Sequence, residues 1–239
     1  MISWEAGDAY TVAFSTRIGG VSEGPYESLN LGILTADDPS RVVENRRLLA
    51  DRVGINPKRA RMAWQQHGAD VQKAFPEGIL TPGTTHRACD GWWSDEPGQG
   101  MMLVTADCLP VAIARQNGAR PALAVLHVGW RGLLGGIVEN GVAALGGGVL
   151  TAAIGPGIGP CCYEVRADVA EPFEHAFGPE VVPDGRLDLW RATELALSRA
   201  GVDEVERTDL CTFCHPELFF SHRRDRGLTG RQGVIAAVT

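Results

Sequence analysis

Within the 239 residues no stretch has the pattern expected of a segment that carries a protein into or across a membrane. No run approaches the roughly 18 consecutive apolar residues of a spanning helix. Residues 1–8, MISWEAGD, have neither the basic head nor the apolar middle of a secretory signal peptide. These two absences give the expectation of a cytoplasmic protein without a membrane partner. Excess positive charge is also missing: 22 Lys plus Arg against 29 Asp plus Glu leave a net charge of -7, so no nucleic-acid partner is implied by the bulk. Local basic patches remain possible, and residues 223–231 are one. No Pro/Ser/Gly linker, internal repeat or low-complexity tract divides the chain, which argues for one domain over residues 1–239.

Six cysteines are present. In a reducing compartment they are expected to be thiols, ligands or nucleophiles rather than cystines. A chain of this length buries enough surface to fold without disulfide staples. The segment CTFCH, residues 211–215, fits the C-x-x-C-H pattern of c-type haem attachment, but a short pattern in a chain without an export signal carries little weight. His215 and Glu217 fit the H-x-E half of a zinc deaminase signature, and the required downstream P-C-x-x-C is absent. The glycines of GPGIGPCC, residues 155–162, do not follow G-x-G-x-x-G and no Walker lysine follows them, so the segment reads as a tight turn. Adjacent Cys161 and Cys162 are poorly disposed to share one ion and read as structural.

Hydrophobic patterning predicts strands over residues 10–15, 62–66, 101–105, 109–115, 122–127, 149–154 and 234–238. A helix is predicted from Asp38 as N-cap and Pro39 at its first position, with Val42, Leu49 and Val53 on one face and Gly54 as its stop. Residues 133–145 keep helical spacing despite internal glycines, and residues 188–200 form a capped helix ending at Gly201. Residues 76–85 are a Pro/Gly/Thr loop long enough to be a lid or rim. Strands and helices mix without a β-α-β rhythm, which predicts a single α/β (α+β) domain with mixed sheets.

One hairpin builds a candidate site. Asn117-Gly118 lies between two apolar runs, the signal for a type I′ turn. Counting outward, Val111 faces Ala124 and Cys108 faces His127. Directly opposed Cβ atoms lie about 4.5–5.5 Å apart. That spacing suits a shared zinc ion, or a nucleophilic Cys–His pair. A like-charge Arg115/Arg120 pair, the missing donor of Pro110 and the chance of a bulge leave this register open. His67, at the end of WQQHG, is the natural third member, because three protein ligands with an open fourth position make a catalytic zinc site. A buried thiol with two unrelated histidines is the plain alternative. Asp107 beside Cys108 is a candidate general base or supporting carboxylate, although strand alternation turns it to the opposite face unless the chain bends there. Arg17 and Arg131 are candidates for phosphate, which guanidinium grips bidentately. Trp92, Trp93 and Trp130 are candidates for stacking a base.

Seven stretches occur in order: FSTRIGGVSEGPYESLNLG, QQHG, CDGWWSD, TADCLPV, HVGWRG, IGPGIGPCCYEV and FFSHRRDRGLTGRQ. Together, from about residue 14 to residue 232, they resemble the YfiH-like family, labelled purine nucleoside phosphorylase and earlier laccase-domain multicopper polyphenol oxidase. The resemblance implies a zinc enzyme that phosphorolyses adenosine, inosine, guanosine or methylthioadenosine and deaminates adenosine. It implies metal ligands at His67, Cys108 and His127, a ribose contact at Asn30, and pocket positions at Ser221 and Arg223. It also implies a layered α/β sandwich similar to that of CNF-type toxins, which are cysteine hydrolases. Zinc is the expected cofactor, copper a weaker one, and purine nucleosides and phosphate the expected partners. Cys89, Val128 and Cys214 depart from the family pattern, and Cys214 is therefore not read as half of a metal site. Three other readings stand beside this one: a Cys108–His127 amide hydrolase acting on a peptidoglycan precursor, a copper laccase, and a non-catalytic binding module. The six histidines contain no H-x-H pair, which weighs against the laccase.

Overall fold

The computed structural model describes residues 1–80, 87–116 and 120–239. Eleven strands and five α-helices are assigned among them. The strands are β1 (Ile2–Ser3), β2 (Tyr10–Phe14), β3 (Arg61–Met62), β4 (Val71–Lys73), β5 (Gly91–Ser94), β6 (Gly100–Thr105), β7 (Leu109–Gln116), β8 (Leu123–Val128), β9 (Val149–Ile154), β10 (Glu204–Arg207) and β11 (Gln232–Val238). The helices are α1 (Pro39–Arg52), α2 (Trp130–Leu134), α3 (Ile137–Leu145), α4 (Ala167–Phe177) and α5 (Leu189–Arg199).

Two mixed sheets form, in the orders β1-β2-β11-β6-β3 and β10-β9-β7-β8-β5-β4. Three groups of buried side chains define four layers. Val12, Phe14, Leu103, Val234 and Ala236 of the first sheet meet Trp92, Ala112, Ala114, Val125 and Ala153 of the second. The outer face of the second sheet, with Val111, Ile113, Leu126 and Ile154, is covered by Ile137, Phe173 and Leu197 from the helices. The outer face of the first, with Ala13, Met102 and Ile235, is covered by Leu49 and Ala50 of α1. Central strands are thus buried on both faces, which is why β7, β8 and β11 read as continuous apolar runs rather than alternating ones. Alanines on the inner face let the sheets pack closely.

The predicted caps are in place. Asp38 accepts a hydrogen bond from Ser40 N at the start of α1, and Asp188 accepts one from Arg191 N at the start of α5. Three expectations are corrected. The helix over residues 133–145 is two helices, because Gly135 and Gly136 break it and Gly136 has φ of +87°. The strand over residues 62–66 stops at Met62: the Gln65 side chain donates to Val104 O (2.7 Å) and accepts from Val104 N (2.9 Å), taking the place of a backbone partner. The β7/β8 register differs by two residues. Val111 pairs with Leu126, and His127 pairs with Pro110 rather than Cys108, so the connection is longer than the two-residue turn expected. Asn117 and Gly118 themselves, and residues 81–85 of the loop expected over 76–85, lie outside the described residues. An even shift preserves faces, so Cys108 and His127 remain on the same side of the sheet. Helix α4 has no counterpart in the expectations, because Pro172 inside it reads as a breaker. Among the described residues no helix is long and apolar enough to cross a membrane.

Gly233 in β11 tests this packing, because a Cβ there would lie 1.9 Å from the carbonyl oxygen of Leu103. Gly233→Ala is expected to destabilise the protein by at least about 1–3 kcal/mol, the usual range for overpacking. Chemical denaturation followed by circular dichroism measures it; an unchanged midpoint would contradict the close strand approach.

Candidate active site

The site begins with one carboxylate. Asp90, immediately before β5, is 1% exposed. Its Oδ2 accepts from the backbone N–H of Gln66 (3.1 Å) and Gly68 (2.7 Å), and its Oδ1 accepts from His67 N (2.9 Å). The 66–68 turn closes around it, with His67 in the left-handed region at φ of +60°. The same Oδ1 accepts from Nδ1 of His127 at 2.8 Å, and the Asp90 carbonyl accepts from His127 N at 2.7 Å. Burial would raise the Asp90 carboxyl, but the His127 hydrogen bond and charge and the Gly68 and Gln66 amides outweigh it and hold it below the ordinary carboxylate range.

With Nδ1 of His127 committed to Asp90, Nε2 is left for the cavity. Alternation along β8 turns His127 to the same face as Leu123 and Val125, the face between the sheets. Donor atoms of His67, Cys108 and His127 all lie within 4.8 Å of one another. The two imidazole centroids are 4.8 Å apart at 67°. Gly129 keeps the centre open: a Cβ there would lie 3.1 Å from Cys108 Sγ and 3.3 Å from the His67 ring. Burial alone would raise the Cys108 thiol, but the charge of His127 and hydrogen bonds from His127 and His67 bring it below its ordinary value. His127 moves up: the Cys108 thiolate and Asp90 overcome the effect of burial.

Two nitrogens and a sulfur within reach of one point, a carboxylate behind one imidazole and a glycine where a side chain would intrude together fit a zinc ion. The donor set suits copper less specifically. His127 is buried, Cys108 half-buried and His67 exposed, so the centre opens on the His67 side.

That side is a cavity of about 890 Å³ at the end of the inter-sheet layer. Asp107, Arg131 and Arg223 line it, as does Trp130. The chain does bend at Asp107, where φ is +91°, which resolves the objection from strand alternation. Its carboxylate accepts from Thr212 Oγ1 and from Arg223 N, both at 2.7 Å. Three expected contacts do not reach the cavity lining. Arg17 donates to the carbonyls of Glu27 (2.6 Å) and Pro216 (2.9 Å) and stacks on Phe220. Asn30 is fully buried, and its Oδ1 accepts from Gly32 N and Arg231 N, so it supports cavity residues rather than facing a ligand. Ser221 is fully buried and accepts from Arg224 N. All three carry polar groups consumed by the fold. Trp92 packs between the sheets and Trp93 lies against Lys73, so neither lines the cavity.

The cavity also holds residues that patterning did not single out: Trp64, Tyr163, His222 and Arg231. Burial and the charge of Cys108 push the Tyr163 hydroxyl up to about 12, and Arg223 sits over its ring. Arg231 falls within the basic stretch noticed in the sequence, and Asp90 within CDGWWSD, but neither signal separated a site residue from its neighbours.

Residues 11–239 match the family described as multi-copper polyphenol oxidoreductase laccase. The chain belongs to this family. Within it, the chain is similar to the purine nucleoside phosphorylase PA4543 of Pseudomonas aeruginosa, at 38% identity over 95% of this chain and 93% of that one. It is 37% identical to the purine nucleoside phosphorylase YfiH of Escherichia coli K12, again over 95% and 93%. The crystal structure of a hypothetical protein YfiH from Bacillus licheniformis superposes with a TM-score of 0.89 at 32% identity, covering 96% of this chain and 93% of that one. YlmD from Geobacillus stearothermophilus gives 0.87 at 34% identity, over 98% and 94%. These likenesses bear out the family resemblance and the mixed two-sheet fold.

Asp90→Asn leaves the shape but weakens the grip on the His127 tautomer. Metal retention is expected to fall about 10–100-fold, the range seen when a carboxylate behind a ligating imidazole is removed. Competition against a chromogenic chelator measures it; unchanged affinity would remove Asp90 from the site. In metal-free protein, iodoacetamide should label Cys108 at a pH well below an ordinary thiol's value of about 8.5, because the thiolate persists further into acid. Added zinc should suppress that labelling.

Proposed function

We propose that this chain, as one catalytic domain over residues 1–239, is a zinc-dependent purine nucleoside phosphorylase. Its substrates are adenosine, inosine, guanosine and methylthioadenosine, and adenosine deamination is a second activity at the same site. The observation that carries this reading is the His67/Cys108/His127 centre opening into a cavity that combines aromatic walls with arginines. About 300–1,000 Å³ is the usual range for small-molecule sites, and 890 Å³ leaves room for a nucleoside together with phosphate. The names of the relatives support the same substrate class.

His67, Cys108 and His127 would hold zinc, which when bound supplies a Lewis acid at the cavity floor. Around it the side chains divide the remaining work. Trp130 and Trp64 offer flat apolar faces to a purine. Arg131, Arg223 and Arg231 provide the guanidinium groups for phosphate, the role first expected of Arg17 and Arg131. Phosphate held there attacks C1′ of the ribose as the bond to the purine breaks, so the base leaves and ribose 1-phosphate forms. Asp107 acts as a positioning residue: it fixes the backbone of Arg223 and ties that segment to Thr212. Tyr163, held protonated by burial and by Cys108, is a hydrogen-bond donor in the cavity wall.

One observation favours a second reading. His127 donates to Asp90 through Nδ1 while its other face meets Cys108, the arrangement of a Cys–His–Asp hydrolase triad. That reading leaves His67 without a task, and a triad has no need of a second imidazole so near the nucleophile.

Zinc-loaded protein should release purine and form ribose 1-phosphate only when phosphate is supplied, and should convert adenosine to inosine with or without it. Chromatography of both products decides this. Cys108→Ala should lose the metal of the His67/Cys108/His127 centre and lower turnover on the order of 10²–10³-fold, matching several kcal/mol of Lewis-acid stabilisation. Full activity of metal-free wild-type protein, with Cys108 trapped covalently by substrate, would instead establish the hydrolase.

A further inference from the structure

A second cluster of thiols lies outside this centre. Segment 155–163 carries Cys161 and Cys162, and segment 209–215 carries Cys211 and Cys214. Hydrogen bonds tie the two segments together: Gly157 N donates to Leu210 O (3.3 Å) and Thr212 N to Gly157 O (3.0 Å). All four sulfurs then lie within 4.8 Å of one another. Cys214 Sγ is 3.5 Å from Cys161 Sγ and 3.4 Å from Cys162 Sγ. A tetrahedron of sulfurs about 2.3 Å from a zinc ion has edges of about 3.8 Å, within the range these sulfurs already span.

We propose that Cys161, Cys162, Cys211 and Cys214 form a second, structural metal site that binds one zinc ion as a four-thiolate centre. It is chemically distinct from the open centre of His67, Cys108 and His127, because four protein ligands leave no position for substrate. Soft thiolates in a tetrahedral set select zinc among the common divalent cations.

Three features of the backbone support it. The adjacency of Cys161 and Cys162 argues against shared coordination only where the chain is extended. Here residues 159–163 form a turn, with Cys162 N and Tyr163 N both donating to Gly159 O at 3.0 Å, and both thiols approach Cys214. Cys211 and Cys214 have the C-x-x-C spacing of a metal knuckle, so the segment CTFCH finds its partner in the distant GPCC turn. Cys211 Sγ accepts the backbone N–H of Gly159 (3.3 Å), the kind of donor that stabilises a ligating thiolate. This revises the expectation that Cys161 and Cys162 are merely structural thiols and that Cys214 has no part in a metal site. Paired disulfides would satisfy the cluster less well, since Cys214 is almost equally close to two partners.

The ion would brace one wall of the cavity. Ile158 and Tyr163 line the cavity from the first segment, and Ile158 N donates to Asp107 O at 2.8 Å. Thr212 of the second segment holds the Asp107 carboxylate. Clamping the segments together therefore fixes the backs of Tyr163 and Asp107 without any contact to substrate.

Elemental analysis of reduced, zinc-loaded protein after desalting tests the proposal. Wild type should retain about two zinc ions per chain, and Cys108→Ala and the double variant Cys161→Ser/Cys214→Ser about one each. Combining all three substitutions should leave none. Cys161 and Cys214 are exposed, so serine there leaves the core intact. Cobalt(II) added to Cys108→Ala protein should give the intense visible bands of a tetrahedral thiolate site, and these should vanish in the triple variant. If Cys108→Ala folds poorly, wild type against the cysteine double variant gives the same decision. A double variant with wild-type metal content, or reduced Cys108→Ala protein that binds neither zinc nor cobalt, overturns the proposal. Neither result bears on the nucleoside chemistry, which depends on the other centre.

Discussion

A single buried carboxylate organises the catalytic end of this molecule. Asp90 takes the three consecutive amides of the 66–68 turn and the Nδ1 proton of His127, so it fixes a backbone turn and a ring tautomer with the same two oxygens. Two residues distant in sequence acquire their relative placement from it. An anion in so dry a position persists only because its acceptor capacity is filled. The polar centre and the apolar layers beside it are therefore one construction: the layers exclude water and the carboxylate spends its hydrogen bonds on aiming ligands.

The sheets contribute position and the glycines contribute space. Parity along β8 sends His127 into the inter-sheet layer, while the bend at Asp107 ends one strand and starts the next with Cys108 at the cavity. Gly129 follows β8, where any side chain would crowd Cys108 and His67. The glycine of the H-x-G stretch thus shapes the site as much as the donor side chains beside it.

Much of this was legible in the residues, for reasons that also explain what was not. Asp38 and Asp188 announced α1 and α5 because capping is local chemistry. The strands β6, β7, β8 and β9 were visible as apolar runs, but two-sided burial removes the alternation that would fix register, and the β7/β8 pairing came out two residues away. That shift cost nothing at the site, because faces repeat every second residue. Helix α4 was hidden by Pro172, although Val169, Phe173 and Phe177 keep a helical spacing. The motif comparison placed His67, Cys108 and His127, yet it could not tell Asp90 from the rest of CDGWWSD. It also named Asn30 and Ser221 as ligand contacts when their atoms are consumed by the fold. The four-cysteine cluster escaped because neighbours in sequence seemed unfit to act together, and only the turn at Gly159 brings them round.

The Gln65 amide, locked onto both backbone groups of Val104, has one more effect. It seals the margin of the first sheet where the cavity begins, so no exposed ladder remains there to recruit an extended polypeptide by strand addition. At Val104 a visitor finds both backbone groups already engaged. Such a margin offers an extended peptide no strand edge to join.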